Sequence, residues 1–396
     1  MSTPTRNFGG MRIAVDALPA FPGKSGAVGA FRSMLQIAPE LDESLEMIYM
    51  VSPGQKSYYE KFLDSKYSDR VRFQVFTYPE THRSFRIMSQ DILVPLYCRR
   101  AGINIHFSLN PEPVFGMPGV AEVFKVVDLQ YFDVPEEFGL AKSVYRKILG
   151  RRKALRSDLV IANSHYTKQR IIECLGISDE RIHIVYEAVD HQLFHQDGCS
   201  LQEQEELAKK YGITFPYLVY VSSFRPYKNH LLLLQAYDML MREHNIPHHL
   251  VLIGNDIGNY RSVVENAANG LSPSSKGKVH FLDYVHHWDL PCIYRSASLA
   301  LYPSGLETFG IPPLEAMACG TPVIVSGFTA IPEVSGGGAC IVDPRDICVQ
   351  ADAMFRVLDN RAYRETLVNS GLTWCQRYTW RRSISETLAL MAEYSS

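Results

Sequence analysis

The sequence lacks the short patterns that mark several common classes of protein. Its eight cysteines form no C-x-x-C pair, the spacing typical of zinc ribbons and dithiol redox sites. Scattered cysteines fit reduced thiols in a cytosolic protein better than disulfides or a zinc site. They are Cys98, Cys174, Cys199, Cys292, Cys319, Cys340, Cys348 and Cys375.

Long apolar runs and a strong charge of one sign are also missing. No run approaches the ~18 residues of a transmembrane helix, and the polar residues 1–10 contain no apolar segment of a signal peptide. The formal net charge is −2, so no overall field would recruit nucleic acid. We therefore expect a cytoplasmic protein that binds no nucleic acid.

Two phosphate-binding fingerprints are absent. The tripeptide Gly-Lys-Ser at residues 23–25 suggests a P-loop, but the pattern G-x-x-x-x-G-K-[ST] needs a glycine where Leu18 stands. The dinucleotide fingerprint G-x-G-x-x-G does not occur either. What is left is a pair of glycines, Gly26 and Gly29, in a segment predicted to turn from a strand into a helix.

Apolar strand-like runs alternate with helical segments along the chain, the pattern of βαβ units and parallel sheets. With 396 residues, 46% of them hydrophobic, the chain is long enough for two domains of about 200 residues each. A polar bridge, residues 195–210, separates two such series, and we place the boundary near residues 188–205. Two similar α/β halves predict a ligand cleft between them, at the carboxyl ends of the strands.

The two series contain thirteen predicted strands. The first half has Arg12–Leu18, Met47–Val51, Val71–Phe76, Ile103–Phe107, Glu122–Val127, Leu159–Ala162 and Ile182–Val185. The second half has Tyr217–Ser223, His249–Ile253, Val279–Phe281, Leu299–Tyr302, Pro322–Val325 and Ala339–Val342. Helices are predicted over Arg361–Ser370 and Arg377–Tyr394.

One segment carries the strongest functional signal, ETFGIPPLEAMACGTP from Glu307 to Pro322. Two adjacent prolines cannot lie inside a helix but suit its first turn, so a helix is predicted to begin near Pro312 or Pro313. Glu307 then lies in the preceding loop and Glu315 in the first turns. The N–H groups of the loop lack helical acceptors and can point together at a phosphate or sugar oxygen. They belong to Thr308, Phe309, Gly310 and Ile311.

Two carboxylates beside an anion site favour recognition of hydroxyls on a phosphorylated sugar. No Ser-His or Cys-His pair stands nearby, so acyl transfer is not indicated. The alternative is an ordinary helix N-terminus with a favourable acid in its first turn.

Two cations follow the first strand of the second half, in VSSFRPYKNHLLLLQAY, residues 221–237. Arg225 and Lys228 lie in a predicted loop between that strand and a helix that begins near Asn229. Fixed cations aimed at a departing diphosphate stabilise the transition state more than the ground state. An isolated Arg-x-x-Lys is, by contrast, more often solvated surface charge.

Together these segments resemble the retaining glycosyltransferases of the GT-B fold, specifically glycosyltransferase family 4. The donor-site signature of that family is matched by PSGLETFGIPPLEAMACGTPVI, and the resemblance runs from about residue 12 to residue 390. Further matching segments are CRRAGINIHFSLN, SDLVIANSHYTKQRI, RIHIVYEAVDHQLF and IPEVSGGGACIVDP. Where the family often has a glycine pair, this chain has Ser222 and Ser223.

The resemblance implies an α/β protein with two Rossmann-like domains that face a central cleft. Residues 1–190 would form an acceptor domain and residues 191–376 a nucleotide-sugar donor domain. A C-terminal helix, residues 377–396, would cross back to the first domain.

The resemblance also implies a role for each candidate residue. Glu307 would hold the hydroxyls of the donor sugar, and Arg225 and Lys228 would clamp the diphosphate, as the catalytic residues. The donor-binding residues would be Glu315, which would bind the ribose, with Thr308, Phe309, Gly310, Ile311 and Gly29. The acceptor-binding residues would be Asp128 and Gly26.

One position departs from the family pattern. Family members commonly carry His-Asp after the strand Glu122–Val127, where this chain has Val127 and Asp128. Valine cannot donate a hydrogen bond, so another residue supplies the contact or the donor sugar lacks the usual partner. For Asp128 the alternative to acceptor binding is capping at the end of the strand.

We expect no metal and no cofactor. No two aspartates stand two residues apart, so the D-x-D that holds a divalent ion in the other main glycosyltransferase fold is missing. The histidine clusters lie in polar segments without a cysteine at ligand spacing. They are His286 with His287, and His244 with His248 and His249.

The predicted activity is metal-independent transfer of a hexose from a nucleotide diphosphate sugar to an acceptor hydroxyl. The acceptor would be a saccharide or a lipid-linked saccharide in the synthesis of a bacterial exopolysaccharide, capsule or lipopolysaccharide. Two alternatives stay open, a GT-B nucleotide-sugar epimerase and a nucleotide-sugar-binding protein without turnover.

A basic segment, residues 142–156, raises the question of membrane contact. It contains seven lysines and arginines and no acid, while Val144, Ile148 and Leu155 can form an apolar stripe. Such a helix could lie on the cytoplasmic face of the inner membrane. The alternative, which the pattern favours, is a domain helix whose apolar side packs on the sheet and whose cations face water.

Overall fold

A computed structural model describes residues 10–20, 27–77, 87–113, 115–283 and 285–394. The chain forms two compact units. The first contains the residues up to Glu187 together with those from Trp380 onwards, and the second is Ala188–Thr379. Each unit has its own parallel sheet.

The described strands and helices alternate along the chain. The strands are β1 Arg12–Asp16, β2 Glu46–Val51, β3 Val71–Val75, β4 Ile105–Ser108, β5 Ala121–Val126, β6 Leu159–Ala162, β7 Ile182–Ile184, β8 Tyr217–Val221, β9 His249–Ile253, β10 Val279–Leu282, β11 Leu299–Tyr302, β12 Val323–Ser326 and β13 Cys340–Val342. The helices are α1 Ala27–Leu41, α2 Pro53–Tyr59, α3 Val94–Arg100, α4 Gln130–Asp133, α5 Pro135–Phe138, α6 Leu140–Arg156, α7 His165–Leu175, α8 Leu201–Tyr211, α9 His230–His244, α10 Tyr260–Asn269, α11 Leu290–Ser296, α12 Ile311–Ala318, α13 Ile331–Ser335, α14 Ile347–Asp359, α15 Arg361–Cys375 and α16 Trp380–Ala392. Each of the thirteen predicted strands is present, with ends shifted by a few residues.

Both sheets are parallel throughout and reverse their strand order near the middle. The first has the order β3-β2-β1-β4-β5-β6-β7 and the second β10-β9-β8-β11-β12-β13. The α/β fold class is therefore confirmed, as two Rossmann-like sheets. In such sheets ligands bind beyond the carboxyl ends of the strands where the order reverses. In the second unit this point lies between β8 and β11.

Alternating side chains cover both faces of the first sheet. Ile13 and Val15 pack with α1 and α16 on one face, while Ala14 packs with Val94 and Cys98 of α3 on the other. Phe124, which lies on the same face as Ala14, packs beside α6 and α7. Strands buried on both faces carry continuous apolar runs, which is why the sequence predicts them so clearly.

The cysteine prediction was wrong for one pair. A disulfide joins Cys199 to Cys292 across 93 residues. The segment before α8 is held against α11, where the guanidinium of Arg295 donates to the carbonyls of His195 (2.6 Å) and Gly198 (2.7 Å). Spacing along the chain reveals only local pairs, so this contact had no sequence signal. The other six cysteines are free.

The favoured orientation of the basic segment was also wrong. Helix α6 turns Val144, Ile148 and Leu155 toward solvent. Its inner face is formed instead by Ser143, Leu149, Gly150, Lys153 and Ala154. Lys153 is buried because its ammonium pairs with the carboxylate of Glu122 on β5. An ion pair thus occupies the place where apolar packing was expected.

Candidate functional site

Two connections of the second unit lie side by side at the reversal of its strand order. One follows β8 and leads into α9, and the other follows β11 and leads into α12. The side-chain amide of Asn229 donates to the carbonyl of Pro303 (2.8 Å), and the N–H of Gly305 donates to the carbonyl of Tyr227 (2.8 Å). A Cβ at Gly305 would lie 3.1 Å from that amide nitrogen. Glycine therefore permits the close approach of the two connections.

Lys228 and Glu307, one from each connection, form a buried ion pair between Nζ and Oε1. The hydroxyl of Tyr302, at the end of β11, donates to the same Oε1 at 2.7 Å. Burial first, and the neighbouring Glu307 second, raise the pKa of Tyr302 well above its ordinary value, so it stays a neutral donor. A buried charge is retained only when it is paired and hydrogen-bonded in this way.

A third connection holds the backbone of Glu307. Its N–H donates to Oγ1 of Thr329 (3.0 Å), and its carbonyl accepts from the N–H of Ala330 (3.4 Å). Thr329 has a φ of +58°, a conformation that costs a β-branched residue about 1–3 kcal/mol. Backbone strain of this kind persists only where its surroundings hold it, and here Thr329 fixes the backbone of the residue that carries the buried carboxylate.

The cationic side of the site is built by the turn after β8. The hydroxyl of Tyr220 donates to the carbonyl of Lys228 (2.9 Å), and the N–H of Lys228 donates to the carbonyl of Arg225 (3.1 Å). Arg225 is half-buried, with its guanidinium carbon 5.9 Å from the ring centre of Tyr227. Burial, with a contribution from Lys228, lowers the pKa of His230 to about 3, so His230 is neutral and adds no charge.

The loop before α12 has the predicted form. Gly310 caps the helix with a φ of +93°, and the helix begins at Ile311, one residue before the two prolines. Phe309 is buried with its ring centre 5.7 Å from that of Tyr378, and Thr308 is half-buried. The first N–H groups of a helix have no acceptor within it, so this end of α12 suits an anion.

Glu315 lies in the second turn of α12, beside α11. The hydroxyl of Tyr294 donates to its Oε2 at 3.4 Å. Burial raises the pKa of the Glu315 carboxyl to about 7, the hydrogen bond from Tyr294 opposes that change, and the charge of Asp190 adds to it. The residue as a whole is half-buried, and a carboxyl with this pKa loses its proton near neutral pH.

This environment predicts a pH-dependent stability. Between pH 4.5 and about 7 the unfolded chain has released the Glu315 proton while the folded chain keeps it, so stability falls as the pH rises through this window and is level above it. Glu315→Gln should remove that decline and raise stability at about pH 8 by about 1–2 kcal/mol, allowing for partial exposure. Thermal unfolding at several pH values measures it.

Glu205→Gln is the matched control, since Glu205 is exposed on α8 and its replacement should leave the pH profile unchanged. A Glu315→Gln variant with the wild-type profile would contradict the burial of this carboxyl.

The predicted acceptor-side residues belong to the first unit. Gly29 is the third residue of α1, and a Cβ there would meet nothing within 4 Å. Asp128 accepts from the N–H of Gln130 (2.8 Å) and so caps the turn after β5. Val127 packs against the core of the first sheet. Gly26 lies outside the described residues.

Three functional candidates were missed by the sequence interpretation. Tyr302 and Tyr294 orient the two glutamates, and Thr329 holds the backbone of Glu307. Both tyrosines sit in apolar segments, where they look like core residues. Thr329 lies in a short loop whose positive φ the sequence does not signal.

Among the described residues no cluster of three or more histidines, cysteines, aspartates or glutamates is arranged to hold a metal ion. In the same ranges no helix combines the length and apolarity needed to cross a bilayer.

Comparison with known families gives two matches that follow each other along the chain. The model described as Glycosyl transferases group 1 matches residues 203–374. The model described as Glycosyltransferase Family 4 matches residues 128–193.

Individual proteins show the same relationship. O-antigen chain mannosyltransferase B of Escherichia coli is 28% identical over 264 residues, 66% of this chain and 67% of that protein. The serotype-specific mannosyltransferase WbdA of Escherichia coli is 27% identical over 230 residues, 57% of this chain but only 27% of its own length. The structure of Anabaena Alr3699/HepE in complex with UDP and glucose aligns over 96% of this chain and 100% of its own, with a TM-score of 0.72 and 18% identity.

Proposed function

We propose that this chain, which has the GT-B fold and matches the family models Glycosyl transferases group 1 and Glycosyltransferase Family 4 in succession, transfers a hexose from a nucleotide diphosphate sugar to an acceptor hydroxyl. The acceptor is a saccharide or lipid-linked saccharide in the synthesis of a bacterial surface polysaccharide, on the cytoplasmic side. The observation that carries this proposal is the buried contact of Lys228 with Glu307 at the reversal point of the second sheet.

The diphosphate is the group that the cationic side of the site would bind. An ammonium group has three donors, and Glu307 uses one of those of Lys228, so the others are free to serve a phosphate oxygen. The half-buried Arg225 supplies a planar second cation beside it. Negative charge grows on the leaving diphosphate as the glycosidic bond breaks, so cations fixed in advance lower the barrier. With these two residues in place, the proposal requires no metal and no cofactor.

Glu307 has a separate task on the sugar. Its Oε1 receives Lys228 and Tyr302, which fixes the plane of the carboxylate and leaves Oε2 to accept from sugar hydroxyls. Around it, the N–H groups of Thr308, Phe309, Gly310 and Ile311 offer donors to sugar or phosphate oxygens. Glu315 would bind the ribose, and the pH dependence of its carboxyl then predicts tighter donor binding as the pH rises through about 7.

The reaction is proposed to retain the configuration of the sugar. The bond from the anomeric carbon to the phosphate oxygen breaks on the face where the bond to the acceptor oxygen forms. The acceptor's proton passes to the departing phosphate, so no side chain acts as base. Asp128, Gly26 and Gly29 stay proposals for the acceptor and donor contacts of the first unit.

The proposed donor sugar is mannose. Two of the relatives described above are named as mannosyltransferases. The structural neighbour is a complex with UDP and glucose, which supports a nucleotide diphosphate as the carrier of the sugar but leaves the base of the nucleotide open. The missing histidine at Val127 leaves room for a donor recognised differently from that of most family members.

A thermal-shift and product assay tests the proposal. The protein is melted with UDP, GDP, ADP and their sugars, because a ligand that binds the native state raises its melting temperature. Nucleotides and sugars of one base should raise the melting temperature. The sugar of that donor should be transferred to a saccharide acceptor, and the product should keep the anomeric configuration of the donor.

Isomerisation of the donor in the absence of an acceptor would favour the epimerase. A rise in melting temperature without release of the nucleotide would favour a binding protein. No shift with any nucleotide sugar would refute the donor site.

A further inference from the structure

The outer face of helix α6 is apolar where a surface helix is normally polar. Leu140, Val144, Ile148 and Leu155 are 74%, 54%, 54% and 42% exposed. Their spacing of four, four and seven residues places them on one side of the helix, since side chains repeat every 3.6 residues. We call these four side chains the α6 apolar stripe. Exposed apolar side chains in such a row indicate a surface that another body covers.

Positive charge surrounds this stripe. Of the seven lysines and arginines in residues 140–156, Lys153 and Arg156 pair with the buried carboxylate of Glu122, which leaves five cations. The first acids beyond the helix are Glu137 and Asp158. Arg151 and Arg152 are exposed between Ile148 and Leu155. Arg146 and Lys147 are half-buried over the rings of Tyr131 and Phe132, so the exposed cations of this helix are Lys142, Arg151 and Arg152. The occupant of the stripe must therefore accept apolar side chains and strong positive charge together.

A second group of exposed apolar side chains lies on the same face of the first sheet. Helix α3 packs on Ala14 and α6 beside Phe124, which point to that face. Ile92, Leu93 and Leu96, at and before the start of α3, are 52%, 45% and 49% exposed. They are followed by Arg99 and Arg100, both exposed. The combination of apolar and basic residues thus occurs twice on one side of this unit.

We propose that this side of the first unit, with the α6 apolar stripe at its centre, docks on an anionic lipid surface. A bilayer interface accepts apolar side chains at the depth of the acyl chains while its phosphate groups pair with lysine and arginine. A second copy of the chain would bring a like-charged helix against α6, so charge complementarity disfavours it. Nucleic acid would match the arginines but not the four exposed aliphatic side chains.

This inference goes beyond the transfer reaction and does not depend on it. It places the enzyme where a lipid-linked acceptor would be found, but the docking surface uses none of the residues assigned to donor binding or transfer. Its failure and the failure of the proposed function are therefore separate results.

Vesicle flotation tests the proposal with the full chain. Protein should float with vesicles of phosphatidylcholine mixed with phosphatidylglycerol, stay behind with vesicles of phosphatidylcholine alone, and be released by high salt. Val144→Ser with Ile148→Ser should weaken binding at least about tenfold, because apolar burial is lost while charge is kept. Arg151→Gln with Arg152→Gln should weaken it about thirtyfold, since each basic residue near an anionic leaflet contributes about fivefold.

Three controls separate docking from damage. Val263→Ser changes a similarly exposed valine, on α10 of the other unit, and should not affect flotation. Arg151→Lys with Arg152→Lys keeps the charge and should keep the binding. All variants replace exposed residues, so their melting temperatures and their transfer to a soluble acceptor should match those of the wild type.

Other outcomes would overturn the proposal. Equal flotation with neutral and anionic vesicles would show that binding does not depend on the charge of the lipids. No flotation with either kind of vesicle would show that this surface does not bind a membrane. A dimer in solution that Ile148→Ser dissociates would assign the stripe to a second copy of the chain.

Discussion

Lys228→Ala is expected to lower kcat by about 10²–10³-fold, because a fixed cation beside the leaving group acts mainly on the transition state. The same change should lower the free energy of unfolding by about 3–5 kcal/mol, since it leaves the buried carboxylate of Glu307 without its ion partner. Steady-state transfer kinetics and thermal unfolding measure the two effects.

The two effects of Lys228→Ala can be separated by a second substitution. Adding Glu307→Gln to Lys228→Ala removes the unpaired charge, so stability should recover substantially. Because Glu307 is itself assigned to the sugar, transfer by the double variant is compared with transfer by Glu307→Gln alone and should be lower. Lys153→Ala is a reference in the first unit, because it removes one of the two cations that pair with Glu122, the other being Arg156. It should reduce stability, by less than Lys228→Ala does, without affecting donor contacts of the second unit. If the double variant transferred sugar as fast as Glu307→Gln alone, Lys228 would have only a structural role.

Arg225→Ala is expected to abolish most of the melting-temperature shift produced by the nucleotide diphosphate, with a loss in kcat/KM of about 10²-fold or more. Arg225 is half-buried and its replacement leaves the Lys228–Glu307 pair in place, so stability without ligand should change little. A diphosphate should lose more affinity than the matching nucleoside, because only the diphosphate presents charge to the guanidinium.

Arg242→Ala is the control for Arg225→Ala. Arg242 is exposed on α9, where it pairs with Asp238 at 3.4 Å, far along the helix from the turn after β8. Its loss should leave the diphosphate shift intact. An Arg225→Ala variant with a full shift would remove Arg225 from the diphosphate site, and equal losses for nucleoside and diphosphate would indicate a general disturbance of the pocket.

The alternation of strands and helices was predictable because each element has its own pattern of apolar residues within a short stretch of sequence. The strand β8 is an unbroken apolar run between Pro216 and Ser222, and its burial on both faces explains that run. The start of α12 was predictable for a similar reason, since two prolines permit only the first turn of a helix. Gly310 at a positive φ completes the signal.

The partners of the predicted site residues were less accessible to sequence reasoning. Lys228 and Glu307 are 79 residues apart, and the sequence suggested separate tasks for them on diphosphate and sugar rather than a direct contact. Tyr302 donates to Glu307 from inside an apolar strand, and Thr329 holds it from a different connection. None of these contacts follows from periodicity, because each depends on how neighbouring strands are paired.

The sequence by itself determined the strands, the start of α12 and the residue types of the candidate donor site, since periodicity, proline and glycine act over a few neighbouring residues. Only the tertiary structure decided that Lys228 and Tyr302 share one oxygen of Glu307, that Cys199 meets Cys292, and that α6 turns its apolar side to solvent. The physical reason is burial. A polar group can be buried only if a hydrogen-bonding partner lies beside it. The pairing of the strands brings those partners together, so they cannot be read from the sequence alone.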